Sequence, residues 1–253
     1  MTEKVLYAVD RGVARVALNR PEKRNALDDD LIAGVRQALT ESSLDRSVRV
    51  VLVGAVGNDF CSGADLAALE RSTSVGVMEN LADARRLGDL FLAMRRHPRP
   101  VVAAVRGRAL AGGCGLATAA DIVLATESAR FGYPEVNLAF VPAMVMAILR
   151  RSLSEKRALE LLTSGEVISA ERAAEFGIIN HVYPDAAFDT EVESYVAKLA
   201  TRSASALTLT KSLLYQMDGL PFEAALSAGV QTNVLARLTD DFRSGVEHFL
   251  KKS

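Results

Sequence analysis

Residues 5–9 and 13–18 are short, largely apolar, β-prone runs, with Asp10-Arg11-Gly12 between them. The two runs and the turn-forming break predict a β-hairpin. Arg20-Pro21-Glu22-Lys23-Arg24 interrupts the pattern. Asp28 or Asp29 then caps a helix whose apolar face is Leu31, Ile32, Val35, Ala38 and Leu39, at the spacing of one helical stripe. Residues 50–54 form a short unbroken apolar run, the mark of a strand buried on both faces, and a glycine-containing loop, 57–63, follows. A helix is predicted over 78–94, with Leu81, Leu87, Leu90, Phe91 and Met94 inward, ending before Pro98 and Pro100. Two further buried strands, 101–105 and 122–125, bracket a glycine-rich stretch, Gly107 to Gly115, and a helix-prone segment, 116–120. Strand, glycine-rich turn, helix, strand is the grammar of a right-handed crossover.

After Pro142 the character changes. Residues 143–151, 155–163 and 170–176 read as helices, 178–183 as a last strand, and 189–201, 204–217, 221–236 and 239–251 as helices again. The expected organisation is a β/α core over 1–190 and a helical region over 191–253. At 253 residues, 49% of them hydrophobic, the chain can bury a sizeable core. Thirty Lys and Arg balance 31 Asp and Glu, which argues against a general nucleic-acid binder while leaving room for a small anion held by a few local cations. Cys61 and Cys114 are the two cysteines, so a disulfide scaffold is excluded. No apolar run approaches a membrane span, and the N-terminus lacks the apolar segment of a signal peptide; a soluble cytoplasmic protein is expected.

Three segments are candidates for chemistry. Asp59-Phe60-Cys61-Ser62-Gly63-Ala64-Asp65-Leu66 follows a buried strand, and Gly112-Gly113-Cys114-Gly115 follows another. Each is a small-residue strand-to-helix corner where a ligand can approach the backbone. Each also reads plainly as a tight turn, and neither is a P-loop or a dinucleotide fingerprint. Together they can supply two convergent N–H donors, the geometry of an oxyanion hole. In Phe131-Gly132-Tyr133-Pro134-Glu135-Val136-Asn137, apolar neighbours would desolvate Glu135 and raise its pKa toward that of a working acid or base. The plain alternative is a helix-start glutamate after proline. His97, His181 and His248 are scattered without metal-ligand spacing, and both cysteines read as small buried apolar residues.

The order of segments resembles the crotonase superfamily, the enoyl-CoA hydratase/isomerase family. The resemblance rests on Leu18-Asn19-Arg20-Pro21 with Asn25-Ala26-Leu27, Phe60 to Leu66, Ala109 to Leu116, Ala120-Asp121-Ile122, Phe131 to Glu135, and Ala173 to Asn180. It implies an α/β fold, a spiral of ββα units, with a C-terminal helical region that forms a homotrimer or a dimer of trimers. It also implies an acyl-CoA substrate and no metal or redox cofactor; the charge balance and the apolar runs already point to no nucleic-acid or membrane partner. Carried over by position, the oxyanion-hole amides fall on Ser62 and Gly112. Ala64, Asp65 and Leu66 match the stretch lying along coenzyme A, and Lys23 and Arg24 sit in the loop near its phosphates.

Hydratases of this family carry two glutamates around the reacting double bond. Glu135 matches the second, and Gly115 stands where the first would be. Hydration needs a base for water and an acid for the α-carbon, whereas moving a double bond needs one group that takes a proton and returns it. The expectation is therefore an enoyl-CoA isomerase working through Glu135. The alternatives are a hydratase with a substitute carboxylate, a thioester hydrolase, and a non-catalytic acyl-CoA-binding protein.

Overall fold

A computed structural model describes residues 4–251. Its larger sheet has six strands, in the order β1 (Val5–Asp10), β2 (Val13–Leu18), β3 (Val50–Ala55), β4 (Val101–Val105), β6 (Ile122–Thr126) and β9 (His181–Tyr183). β1 and β2 form the predicted hairpin, with Val5 opposite Leu18 and Asp10 opposite Val13. Its two turn residues, Arg11 (φ 46°) and Gly12 (φ 80°), are both left-handed, as a two-residue hairpin turn requires. The remaining neighbours are parallel. Both faces are covered, which is why these strands read as unbroken apolar runs. Val16, Val51, Val53, Val101, Ala103 and Val123 face the main core, which includes α1 (Asp29–Leu44) and α3 (Val77–Arg96). Val13, Val50, Leu52, Val102 and Leu124 pack on the other side against Phe188, Val192 and Val196 of α8 (Phe188–Ala200). The boundary expected at residue 190 thus falls inside a helix that completes the sheet's packing.

Several elements escape the sequence pattern. A second sheet of three-residue strands, β5 (Arg108–Leu110), β7 (Arg130–Gly132) and β8 (Val167–Ser169), is too short for any period to show. α2 (Leu66–Ser72), capped by Asp65, buries none of its side chains and so has no apolar stripe. Leu81, expected inward on α3, is 39% exposed. α4 (Gly112–Thr118) begins four residues before the predicted helix, through three glycines that propensity disfavours. Close packing overrides propensity here, because a Cβ on Gly113 would sit 2.3 Å from the Cys61 carbonyl oxygen. Of the predicted strand over 178–183, residues 181–183 pair, while Ile178 and Ile179 are buried in the core ahead of it.

The later helices are α5 (Ala143–Leu149), α6 (Glu155–Ser164), α7 (Ala170–Phe176), α9 (Ala204–Gln216), α10 (Phe222–Arg237) and α11 (Asp240–Leu250). A buried ion pair fastens α9 to the core. Lys211 Nζ donates to Asp121 at 2.6 Å and to the carbonyls of Met94 and Arg99 at 2.9 and 3.2 Å. Asp121 also accepts from the Val101 amide and the Tyr215 hydroxyl. Beyond α9, Phe222, Leu226, Val230, Val234, Phe242 and Phe249 leave apolar surface exposed on α10 and α11. Among the described residues, no helix is long and apolar enough to cross a membrane.

Candidate active site

The segment Cys61–Ala64 lies between two others, and its hydrogen bonds decide which amides stay free. On one side Cys61 accepts from the Leu110 amide and donates to the Arg108 carbonyl, both at 3.0 Å. On the other side, the Leu27 amide donates to the Gly63 carbonyl at 2.7 Å, and the Asp65 amide donates to the Leu27 carbonyl at 2.9 Å. This parallel bridge engages the residues flanking Ala64, so the N–H of Ala64 points away from Leu27, toward the strand that leads into α4. Ser62, which the sequence reading makes a donor, is already committed: its N–H donates to the Arg24 carbonyl at 3.0 Å. The Gly63 amide faces the Cys61 sulfur. Among the described residues, Ala64 therefore carries the free donor of this corner, and the assignment moves from Ser62 to Ala64.

Gly112 supplies the facing donor. It is the first residue of α4, where a helix leaves its N–H groups without intrahelical partners. Ala111, just before it, takes a left-handed φ of 50°, and its own N–H donates to the Gly132 carbonyl at 2.9 Å. The two corners touch. A Cβ on Gly63 would lie 2.9 Å from the Ala111 Cβ and 3.7 Å from the Gly112 nitrogen, and φ of 98° at Gly63 also demands glycine. Above Gly112, Leu27 and Leu87 stand 3.3 and 3.6 Å from the place of a Cβ, so an apolar wall borders the donor.

Glu135 sits in a short 3₁₀ turn, Pro134–Leu138, directly after β7. Its Oε2 is buried and has no hydrogen-bond partner among the described residues, an expensive arrangement in a wall that offers no compensating bond. Burial raises its pKa, and its own backbone N–H is the opposing influence. The carboxyl group lies close enough to Cys114 and Tyr133 to disfavour their ionised forms. Tyr133, wholly buried, shares a 3.0 Å hydrogen bond with Thr118, whose hydroxyl also donates to the Cys114 carbonyl at 2.9 Å. That network holds the chain leading to Glu135 against α4. The thiols of Cys61 and Cys114, pushed up to about 12 by burial, are unreactive packing groups.

Position 115 is closed. A Cβ on Gly115 would fall 2.6 Å from Val145 Cγ1 and 2.9 Å from Phe91 Cζ. An aromatic ring and a branched aliphatic chain fill the space that a side chain there would need. This could not be read from the glycine, whose neighbours come from α3 and α5.

The segment from Arg20 to Leu27 borders the same corner. Asn25, fully buried at φ 53°, accepts from the Arg20 amide at 2.8 Å and donates to the carbonyls of Val56 and Asp59 at 3.0 and 2.8 Å. Arg20 pairs with Asp28 and Asp65, both at 2.9 Å. The Asp65 carboxylate is thereby spent on Arg20 and on capping α2, while Lys23, Arg24, Ala64 and Leu66 are exposed. His97 is buried away from this site. Its Nδ1 accepts from the Arg99 amide and its Nε2 bonds Ser42, each at 3.1 Å, and burial lowers its pKa to about 4.

The family model described as enoyl-CoA hydratase/isomerase matches residues 8–253. The chain belongs to this family. Its relatives there include a Thermus thermophilus protein whose name carries enoyl-CoA hydratase, 39% identical over 248 residues that cover 98% of each chain. The trans-2-decenoyl-[acyl-carrier-protein] isomerase of Streptococcus mutans is 27% identical, covering 99% of this chain and 96% of that one. The crystal structure of a Mycobacterium smegmatis enoyl-CoA hydratase aligns with a TM-score of 0.94 at 32% identity, covering 98% of this chain and 96% of that chain. The fold is accordingly the crotonase fold, and the protein is an enzyme of the enoyl-CoA hydratase/isomerase family. Hydratase and isomerase both figure in the names of these relatives.

The environment of Glu135 makes a prediction about stability. The unfolded chain releases this proton at the ordinary glutamate value, and the folded chain releases it at higher pH. Between the two the folded state binds more protons, so stability falls as pH rises through that interval. Glu135→Gln should therefore gain melting temperature over the wild type on going from about pH 4 to about pH 7. An offset between the two proteins that is the same at both pH values would contradict the burial argument.

Proposed function

We propose that this protein moves the double bond of an enoyl-CoA thioester, with Glu135 as the single proton shuttle and the Ala64 and Gly112 amides as the oxyanion hole. The observation that carries this reading is a buried carboxyl oxygen with no partner among the described residues, on a turn tied through Tyr133 and Thr118 to the helix that Gly112 opens, with position 115 closed. The thioester oxygen accepts from the two N–H groups. Glu135, as carboxylate, takes a proton from C2 of a 3-enoyl thioester, and the electron pair delocalises through C3–C4 and into the carbonyl. The charge settles on the oxygen that the amides face, where fixed donors stabilise it better than reorienting water. Glu135 returns the proton at C4 and leaves the 2-enoyl product.

Exposed Lys23 and Arg24 suit the phosphates of coenzyme A, and the backbone of Ala64, Asp65 and Leu66 suits its pantetheine arm. No metal or redox cofactor is needed for these steps. A protein that merely bound acyl-CoA would gain nothing from a desolvated glutamate. Incubating 3-enoyl- and 2-enoyl-CoA of several lengths with the protein should show double-bond migration; binding without turnover would favour the non-catalytic alternative.

Hydration through a restored pair of carboxylates is disfavoured by the packing at position 115. Gly115→Glu forces a charged chain into Phe91 and Val145, and should cost roughly 3–5 kcal/mol of stability without adding hydratase activity. A folded Gly115→Glu protein that hydrates a short enoyl-CoA faster than the wild type would overturn the single-carboxylate reading.

We also assign residues 191–253 to oligomerisation, as a homotrimer or a dimer of trimers. The exposed apolar side chains of α10 and α11 support this, since surfaces of that kind are uncommon on monomers. Light scattering should give a mass of three or six chains, and a stable monomer would refute the assignment.

A further inference from the structure

A cavity of about 610 Å³ lies between α3, the end of α4, α5 and α9. Phe91, Leu92, Met144, Ile148 and Leu214 give its wall an apolar part. It adjoins the site described above. Phe91, whose ring covers Gly115, lines it, and so does Thr118, which bonds Tyr133. Gly112 and Thr118 are six residues apart on α4, about 9 Å at the helical rise, a distance that an acyl chain held at Gly112 can span.

Part of its wall is charged. Arg95 and Arg151 both reach the same oxygen of Asp218, Arg151 at 3.1 Å. Arg95 also stacks over the Tyr215 ring, 3.8 Å from its centroid. Asp121, the other acid in the wall, is neutralised by Lys211 from behind. Two guanidinium groups thus face one available carboxylate, and their remaining N–H groups have no acceptor among the described residues. Burial pushes the Arg95 pKa down and the like charge of Arg151 adds to this, while Tyr215 and Asp121 oppose it. A purely hydrocarbon chain end would leave that positive charge uncompensated, whereas paired guanidinium groups match a carboxylate.

We propose that the acyl chain of the substrate ends in a carboxylate, held by Arg95 and Arg151, so that the protein acts on ω-carboxyacyl thioesters. This rests on the thioester reading given under Proposed function and names the substrate class of that site. The test uses saturated, unreactive ligands, so that it does not depend on turnover. Calorimetry on the intact protein compares adipyl-CoA with hexanoyl-CoA, and suberyl-CoA with octanoyl-CoA. The carboxylate-ended member of at least one pair should bind about tenfold tighter, an effect in keeping with a partly exposed charge-assisted contact. In Arg151→Met, and separately in Arg95→Met, that ratio should fall to near one. Arg150→Met, which removes an exposed neighbouring charge outside the cavity wall, should keep it. Equal binding within both pairs, or ratios unchanged in both cavity variants, would overturn the proposal. Binding by no acyl-CoA at all would overturn the thioester reading and this inference with it. A carboxylate preference in a protein that fails to move double bonds would uphold this inference and reject the role given to Glu135.

Discussion

Glu135→Gln should lower the rate of double-bond migration by roughly 10²–10⁴-fold, the usual contribution of a positioned general acid–base group. The substitution keeps the shape of the side chain and removes its titratable proton. Because one carboxyl group both takes and returns the proton, exchange at the α-carbon and migration should fall together. Affinity for coenzyme A should change little, since Lys23 and Arg24 lie in a separate exposed loop. In the wild type the rate should rise with pH through a pKa above the ordinary glutamate range, because burial opposes formation of the carboxylate that starts the reaction. That limb should vanish in the residual activity of Glu135→Gln. Exchange surviving at the wild-type rate would mean that another group does the chemistry.

Gly112→Pro should lower kcat by about 10²–10³-fold, the cost of losing one oxyanion-hole donor. Gly112 is the first residue of α4, so proline there breaks no helical hydrogen bond, although it strains Ala111, which precedes it at a left-handed φ of 50°. The substitution thus removes the donor without breaking the helix's own ladder. Gly112→Ala is the companion. It keeps the N–H and adds a methyl group 3.3 Å from Leu27 Cδ1 and 3.6 Å from Leu87 Cδ2, so it tests crowding by itself. If the donor matters, alanine should retain much more kcat than proline. Equal loss in the two variants would assign the effect to space, and full activity in proline would remove Gly112 from the mechanism.

The hairpin, the long helices and the buried parallel strands were legible because each leaves a local pattern: β-prone runs around a turn, a helical stripe, or an unbroken apolar run. The helix over 29–44 shows both its cap and its stripe, and Asp28 does accept from the Leu31 amide at 2.9 Å. The proposed site was legible in part. Gly112 and Glu135 come from their motifs, since a glycine-rich corner and a glutamate among apolar residues are visible in one dimension. The proposed first donor shifts from Ser62 to Ala64, because the Ser62 amide is bonded to the Arg24 carbonyl. Which amide in Cys61-Ser62-Gly63-Ala64 stays free depends on partners at Arg24, Leu27 and Arg108, and nothing in the local sequence specifies that pairing. The closure of position 115 was hidden for a similar reason. A glycine shows that a side chain is absent, but only the fold shows that Phe91 and Val145 occupy its place.

The central claim is that one carboxyl group, Glu135, moves a proton between two carbons of a thioester and adds no water. The direct measurement is to incubate a 3-enoyl-CoA with wild type and Glu135→Gln in deuterated water and to analyse the product by mass spectrometry and NMR. The account predicts a 2-enoyl-CoA from the wild type with label exchange at the α-carbon, little 3-hydroxyacyl-CoA, and loss of migration and exchange together in the variant. A 3-hydroxyacyl-CoA as the main product, formed as fast by Glu135→Gln as by the wild type, would contradict it.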